Sequence, residues 1–249
     1  MNKNNPDWPI AVNPVLLCNS SSEEEKKERA IGIVDLMIDE QIEGKSFVDF
    51  GCGEGHVAER VADLGASTST GYDIKQKWSN SINANLTTDL ENVVKNGPYD
   101  YVLVYDVLDH CEDPIKTLKQ VVQISHKNTK IFVRCHPWIG RHGGHLYQHE
   151  NKAFIHLILT KEELSSYNEE NIPKQKVFAP LYAYGSWIDK SGLQEINRHV
   201  SNQPVEKFFL TRDFINAFEK NVNIPTDNLF NWPEFQMKQN FIDYTLKVK

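Results

Sequence analysis

No apolar run in this chain approaches the roughly 20 residues that span a bilayer, so no transmembrane helix is expected. The stretch from Met1 to Cys18 lacks the charged start and continuous apolar core of a secretory signal, and it carries Pro6, Pro9 and Pro14 among polar residues. A cytoplasmic protein is the expectation. Among Cys18, Cys52, Cys111 and Cys135 there is no CxxC pair, which excludes a zinc knuckle and a thioredoxin-like site. Four cysteines in 249 residues make no disulfide framework, and they read as buried free thiols. There is no lysine- or arginine-rich stripe, and the net charge is −7 with histidines neutral. Nucleic acid is therefore disfavoured as a partner, and an anionic membrane surface equally so. Internal repeats and low-complexity tracts are also missing. Residues 1–249 then read as one domain.

What is present is an alternation of helices and strands. Residues 1–20 read as an extended arm, because prolines resist helix. Ser20 to Ser22 precede Glu23, Glu24 and Glu25, hydroxyl caps followed by acids at the positive end of a helix dipole. This predicts a helix over 21–42, with Ile31, Val34 and Ile38 on its apolar face, covering the cofactor end of the sheet. Strands are expected at 46–50, 68–74, 84–88, 101–105 and 130–135. Helices follow the first, ended by Gly65, and the fourth, opened by Asp113-Pro114. Farther on, a helix is expected at 160–167, a strand at 205–210, a helix at 212–220 and a strand at 240–248. Residues 171–192 are ambiguous, and 221–235 read as loop. The fold class is α/β: a Rossmann-like, doubly wound, mostly parallel sheet with a late antiparallel strand and helices on both faces.

The chemistry starts at Phe47-Val48-Asp49-Phe50-Gly51-Cys52-Gly53-Glu54-Gly55, a buried strand running into a glycine turn and then a helix. Glycines allow a tight turn and let a ligand touch the backbone, and the helix start offers unpaired N–H groups. An acid, Asp73, ends the next strand 18 residues after Gly55, close to the spacing of acids that bind ribose hydroxyls. Dinucleotide enzymes prefer GxGxxG, but here the third glycine falls one place early and His56 stands where that motif wants glycine.

The pattern instead resembles motif I of the class I S-adenosylmethionine-dependent methyltransferases, and the resemblance covers about residues 46–136. It implies that S-adenosylmethionine is the cofactor and that Asp73 binds its ribose. It also implies that Asp89-Leu90 receives the adenine, and that Asp106-Val107-Leu108-Asp109-His110 lines the methionine end. Cys111-Glu112-Asp113-Pro114 continues in the style of the family's small-molecule enzymes. The cofactor contacts so implied are Asp49, Phe50, Gly51, Cys52, Gly53, Gly55, Asp73, Ile74, Asp89, Leu90, Asp106 and His110.

The segment 136–153 follows the fifth strand and reads as a long loop at the sheet edge where α/β proteins bind ligands. It is expected to hold a small-molecule acceptor, with Trp138 and Tyr147 as flat walls and Arg141 for an anionic group. His145, then His142, are the expected general bases, and Gly140, Gly143 and Gly144 would let the loop close. The spacing His142-x-x-His145-x-x-x-His149 matches no familiar zinc pattern, so no metal is expected. Three competitors remain: a cofactor-binding protein with a regulatory or other role, a metal enzyme built on the histidine loop, and a nicotinamide oxidoreductase.

Overall fold

The computed structural model describes residues 2–12, 22–78, 84–167, 180–221 and 234–249. The elements are α1 (Glu23–Met37), β1 (Ser46–Phe50), α2 (His56–Asp63), β2 (Thr68–Tyr72), β3 (Asn85–Thr87), α3 (Leu90–Asn96), β4 (Tyr99–Tyr105), α4 (Pro114–Gln123) and β5 (Ser125–Cys135). They continue as α5 (Lys161–Ser165), α6 (Pro180–Lys190), β6 (Leu193–Asn202), α7 (Arg212–Asn221), α8 (Glu234–Met237) and β7 (Gln239–Val248). The strands form one sheet in the order β3-β2-β1-β4-β5-β7-β6. β1 to β5 are parallel, and β7 runs antiparallel between β5 and β6. This is the expected fold class, late antiparallel strand included.

The alternation along each strand explains the two layers. Val48, Phe50, Val102, Val104, Ile131 and Val133 face one side, packed under Val93 of α3, Leu118 and Val121 of α4 and Ile188 of α6. Phe47, Tyr101, Leu103 and Phe132 face the other, under Ile33, Val34 and Met37 of α1 and Val61 of α2. Strands buried on both faces are what a doubly wound parallel sheet requires. Local signals also match their residues. Ser22 caps α1 in a reciprocal box with Glu25, Asp113 caps α4 with Pro114 in its first turn, and Thr160 caps α5 in a box with Glu163.

Three sequence expectations are corrected. The strand expected at 205–210 is a single 3-10 turn at Lys207–Leu210, which buries Phe209 in a second core. The edge position belongs instead to β6, whose Gln, Glu, Asn and Arg side chains are largely exposed. An edge strand solvated on both faces carries no apolar alternation, so its sequence did not announce it. The first helix stops at Met37 rather than 42, and α8 begins inside the stretch read as loop. Cys18 and residues 171–179 and 222–233 lie outside the described residues.

The second core lies beyond the sheet. Trp138, Ile139, Leu146, Phe154, Phe209 and Phe214 gather there with Trp8 from the N-terminal segment. Residues 2–12 are not a free arm. The Trp8 indole donates to the Ala153 carbonyl at 2.8 Å, the Ala153 N–H donates to the Pro9 carbonyl at 2.8 Å, and Asn151 Oδ1 accepts from the N–H groups of Ala11 and Val12.

Candidate active site

The glycine turn sits at the carboxyl edge of the sheet. Gly51, Gly53 and Gly55 all have positive φ, at 96°, 54° and 90°, a region that glycine reaches without a Cβ penalty. The reasons for glycine differ. A Cβ on Gly51 would collide with Val107, and one on Gly55 would lie 2.5 Å from Leu86. Among the described residues a Cβ on Gly53 would meet nothing within 4 Å, which leaves space before it for a ligand. The turn is held from β2: the Gly51 and Cys52 N–H groups donate to the Tyr72 carbonyl at 2.7 and 2.9 Å. Asp73 then clamps it, accepting from the Gly53 N–H at 3.0 Å and, through its other oxygen, from the Lys75 N–H at 3.1 Å. Each carboxylate oxygen keeps lone pairs for a second donor. From above, Lys26 of α1 bonds Glu54 at 2.6 Å, so the first turns of α1 cover this end as expected.

Two more acids surround the turn. Asp49 is buried, and burial first, then the Asp73 charge, push its carboxyl up to about 7. Asp106 stands at the end of β4 with φ of 52°, and its Oδ1 is buried without a hydrogen-bond partner among the described residues. Burial, then the neighbouring Asp109, push its carboxyl up to about 7, while Arg134 and Arg29 oppose the shift. A non-glycine residue at positive φ stores backbone strain, and such strain gathers at functional sites. Among the described residues three non-glycines adopt it, and two of them, Asp106 and His145, belong to this region.

The remaining cofactor candidates fall along the same edge. Cys52 is buried beside Gly53, and its thiol is raised by burial. Phe50 is packed against Tyr72 in the core, leaving its backbone for the turn. Ile74 is 79% exposed immediately after Asp73, an apolar side chain with one face uncovered. Asp89 ends the β3 segment and caps α3, accepting from the Glu91 N–H at 2.9 Å, while Leu90 packs on the core below. His110 lies 3.4 Å from Asp109 and its ring centroid is 4.9 Å from that of His145.

The histidine segment is where expectation and structure part. It is not an open loop, because Ile139, Leu146 and Ala153 are buried and its glycines serve packing. A Cβ on Gly143 would collide with the Pro137 and Trp138 carbonyls, and one on Gly144 with the His156 ring. Hinge glycines therefore give way to glycines of close approach. Trp138 is also reassigned. It is buried in the second core, with its carbonyl accepting from His156 at 2.6 Å. Arg141 spends its guanidinium on the Ile10 carbonyl and on Glu206, at 2.6 Å, which ties the N-terminal segment down. His142, His145 and Tyr147 do converge. The rings of His142 and His145 lie 4.1 and 5.1 Å from that of His136, and Tyr147 is 5.9 and 6.2 Å from His142 and His145. His149 is exposed and pairs with Tyr167 instead. Burial lowers His142 to about 4 and His145 to about 3, so both rings are neutral at physiological pH.

Sequence reasoning missed the floor of this cluster. Arg134 and Asp243 form a two-pronged ion pair across β5 and β7, at 2.6 and 2.7 Å, and Phe241 stacks between Arg134 and the His136 ring. Asp109 was seen only as part of a segment. Its three-residue spacing from Asp106, with His110 next, was the available signal.

Residues 22–171 match the model of a methyltransferase domain. The chain belongs to that methyltransferase family. Its cofactor is S-adenosylmethionine, and the enzyme is an S-adenosylmethionine-dependent methyltransferase. No curated protein sequence matches it. The fold is similar to that of magnesium protoporphyrin IX methyltransferase from Synechocystis PCC 6803 with bound S-adenosylhomocysteine: TM-score 0.51, 12% identity, 93% of this chain and 89% of that one. It is similar to an S-adenosylmethionine-dependent methyltransferase from Mesorhizobium loti, at TM-score 0.52 and 13% identity, over 87% and 96%. It is also similar to the plantazolicin methyltransferase solved with a desmethyl-plantazolicin analogue and S-adenosylhomocysteine, at TM-score 0.51 and 17% identity, over 91% and 87%. The residues fit the cofactor: free space before Gly53, a clamped acid at Asp73, and buried acids at Asp49 and Asp106 beside the turn.

Proposed function

We propose that this methyltransferase acts on a small-molecule acceptor held between the glycine turn and the cluster of His142, His145 and Tyr147. One observation carries the reading: the His145 ring reaches to 3.8 Å from Asp109, three residues beyond Asp106 at the end of β4, and the His136 and His142 rings gather beside it. When bound, S-adenosylmethionine supplies a methyl group on a positive sulfur, which leaves by in-line displacement. The chain's contribution is then alignment, worth about 7–11 kcal/mol of barrier in well-oriented systems. Asp73 receives the ribose hydroxyls, and the turn leaves its backbone open at Gly53. Ile74, Asp89 and Leu90 would receive the adenine, and Asp49 would set the field at the methionine ammonium. His145 and His142 are neutral, so each presents a nitrogen lone pair to the acceptor's proton.

The Asp49 carboxyl gives a pH prediction. A carboxyl raised to about 7 is protonated in the folded protein and ionised in the unfolded one between about pH 4 and 7. Its ionisation therefore costs stability as pH rises through that window. A cationic ligand favours the ionised form, so cofactor affinity should rise with pH up to about 7 and level off above. Each linked proton adds at most about tenfold per pH unit to the slope. Calorimetric titration across this range should show the slope in the wild type and a shallower one in Asp49→Asn, where Asp106 is left to titrate over the same range.

The acceptor assignment is tested by turnover. His145→Ala should lower methyl transfer by about 10²-fold or more, read as S-adenosylhomocysteine formation, while cofactor affinity stays within about twofold. Unchanged turnover would remove the cluster from the reaction.

A further inference from the structure

We infer that Asp109, His110 and His145 form a binding site for one divalent transition-metal ion, of the zinc or iron(II) class. The ligand atoms come from two segments that the fold brings together, the turn after β4 and the segment after β5. Asp109 Oδ2 lies 3.4 Å from His110 Nε2 and 3.8 Å from His145 Nε2, and the three ligand atoms fit within 4.8 Å of one another. Bonds of about 2.0–2.2 Å to a common metal put neighbouring donors about 3.0–3.4 Å apart, so the donors close in from at most 4.8 Å when the ion binds.

The need for a cation is independent of that spacing. Asp109 is 1% exposed, and neither of its carboxylate oxygens has a hydrogen-bond partner among the described residues. Asp106 Oδ1 is buried and unpartnered beside it. A buried carboxylate is compensated by a paired charge, a metal ion or a proton, and the two imidazoles beside Asp109 make a metal ion the fitting partner. Nε2 of His110 and Nε2 of His145 both lie within 4 Å of this carboxylate. The Nδ1 atom of His136 stands 3.0 Å from His145 Nε2, next in line as a further ligand. One carboxylate and two imidazoles leave coordination positions open, and 34% of the His110 side chain is exposed, so an outside ligand reaches the ion.

A metal with open positions lowers the pKa of a bound hydroxyl. Resting on the acceptor site proposed above, the inference assigns the acceptor an oxygen donor that binds the ion and loses its proton there. His145 then acts as a ligand, and the free basic nitrogen is left to His142. The second group of donors, Glu23, Glu54 and His56, is more exposed, already carries the Lys26 ion pair, and serves as a control.

The test uses the full-length protein without a histidine tag, stripped by chelation and titrated with Co(II). One equivalent should bind and develop visible d–d absorption. Asp109→Asn should lose it, His56→Gln should keep it, and His145→Cys should add a thiolate-to-cobalt charge-transfer band. S-adenosylhomocysteine affinity, measured on the same samples without metal, shows that each variant is folded and tests the cofactor reading separately. Absence of a stoichiometric Co(II) spectrum in the wild type would overturn the site. So would an unchanged spectrum in both Asp109→Asn and His145→Cys.

Discussion

Replacing Gly53 with valine should abolish cofactor binding, by on the order of 10²-fold or more in Kd. Two effects act together. The φ of 54° is a left-handed conformation, costing a residue with a Cβ about 1–2 kcal/mol and a β-branched one more. The new side chain would also enter space that no atom of the described residues occupies within 4 Å. A turn that relaxed to relieve the strain would pull the Gly53 N–H from Asp73 and lose the clamp. The substitution lies at the surface of the turn and removes no core contact, so the thermal unfolding midpoint should move little compared with the loss of binding. Calorimetry with S-adenosylhomocysteine measures the first, and a melting curve the second.

The sheet was legible because its signals are local. β1, β4 and β5 read as short apolar runs bounded by glycine, proline or aspartate, and the caps at Ser22, Asp113 and Thr160 lie within four residues of what they bind. The glycine turn and Asp73 were legible for a related reason, as their spacing follows from one strand–helix–strand unit. What the sequence hid depends on contacts made far along the chain. Trp138 reads as an acceptor wall until Trp8, 130 residues earlier, joins it in the second core. Arg141 reads as an anion binder until Ile10 and Glu206 take its guanidinium. Gly143 and Gly144 look like hinge residues in sequence, but backbone carbonyls and the His156 ring crowd them. The approach of Asp109, His110 and His145 to one another was hidden in the same way, because residues 109–110 and 145 come from separate segments. β6 was silent because an edge strand solvated on both faces needs no pattern.

Asp73→Ala should weaken cofactor binding by about 10²–10⁴-fold, the loss of two charge-assisted hydrogen bonds at roughly 1.5–3 kcal/mol each. The structure adds a second contribution, because the same carboxylate accepts from Gly53 and Lys75. Part of the loss is then a turn that is no longer preorganised, and stability should fall by about 1–3 kcal/mol without unfolding the sheet. Titration of S-adenosylhomocysteine into the wild type and Asp73→Ala, with nicotinamide adenine dinucleotide as the comparison ligand, tests the placement of the cofactor most directly. The account predicts one equivalent bound to the wild type, a loss of at least about 10²-fold in the folded variant, and no binding of the dinucleotide to either. A wild type that binds the dinucleotide instead, or a folded Asp73→Ala with wild-type affinity for S-adenosylhomocysteine, would contradict it.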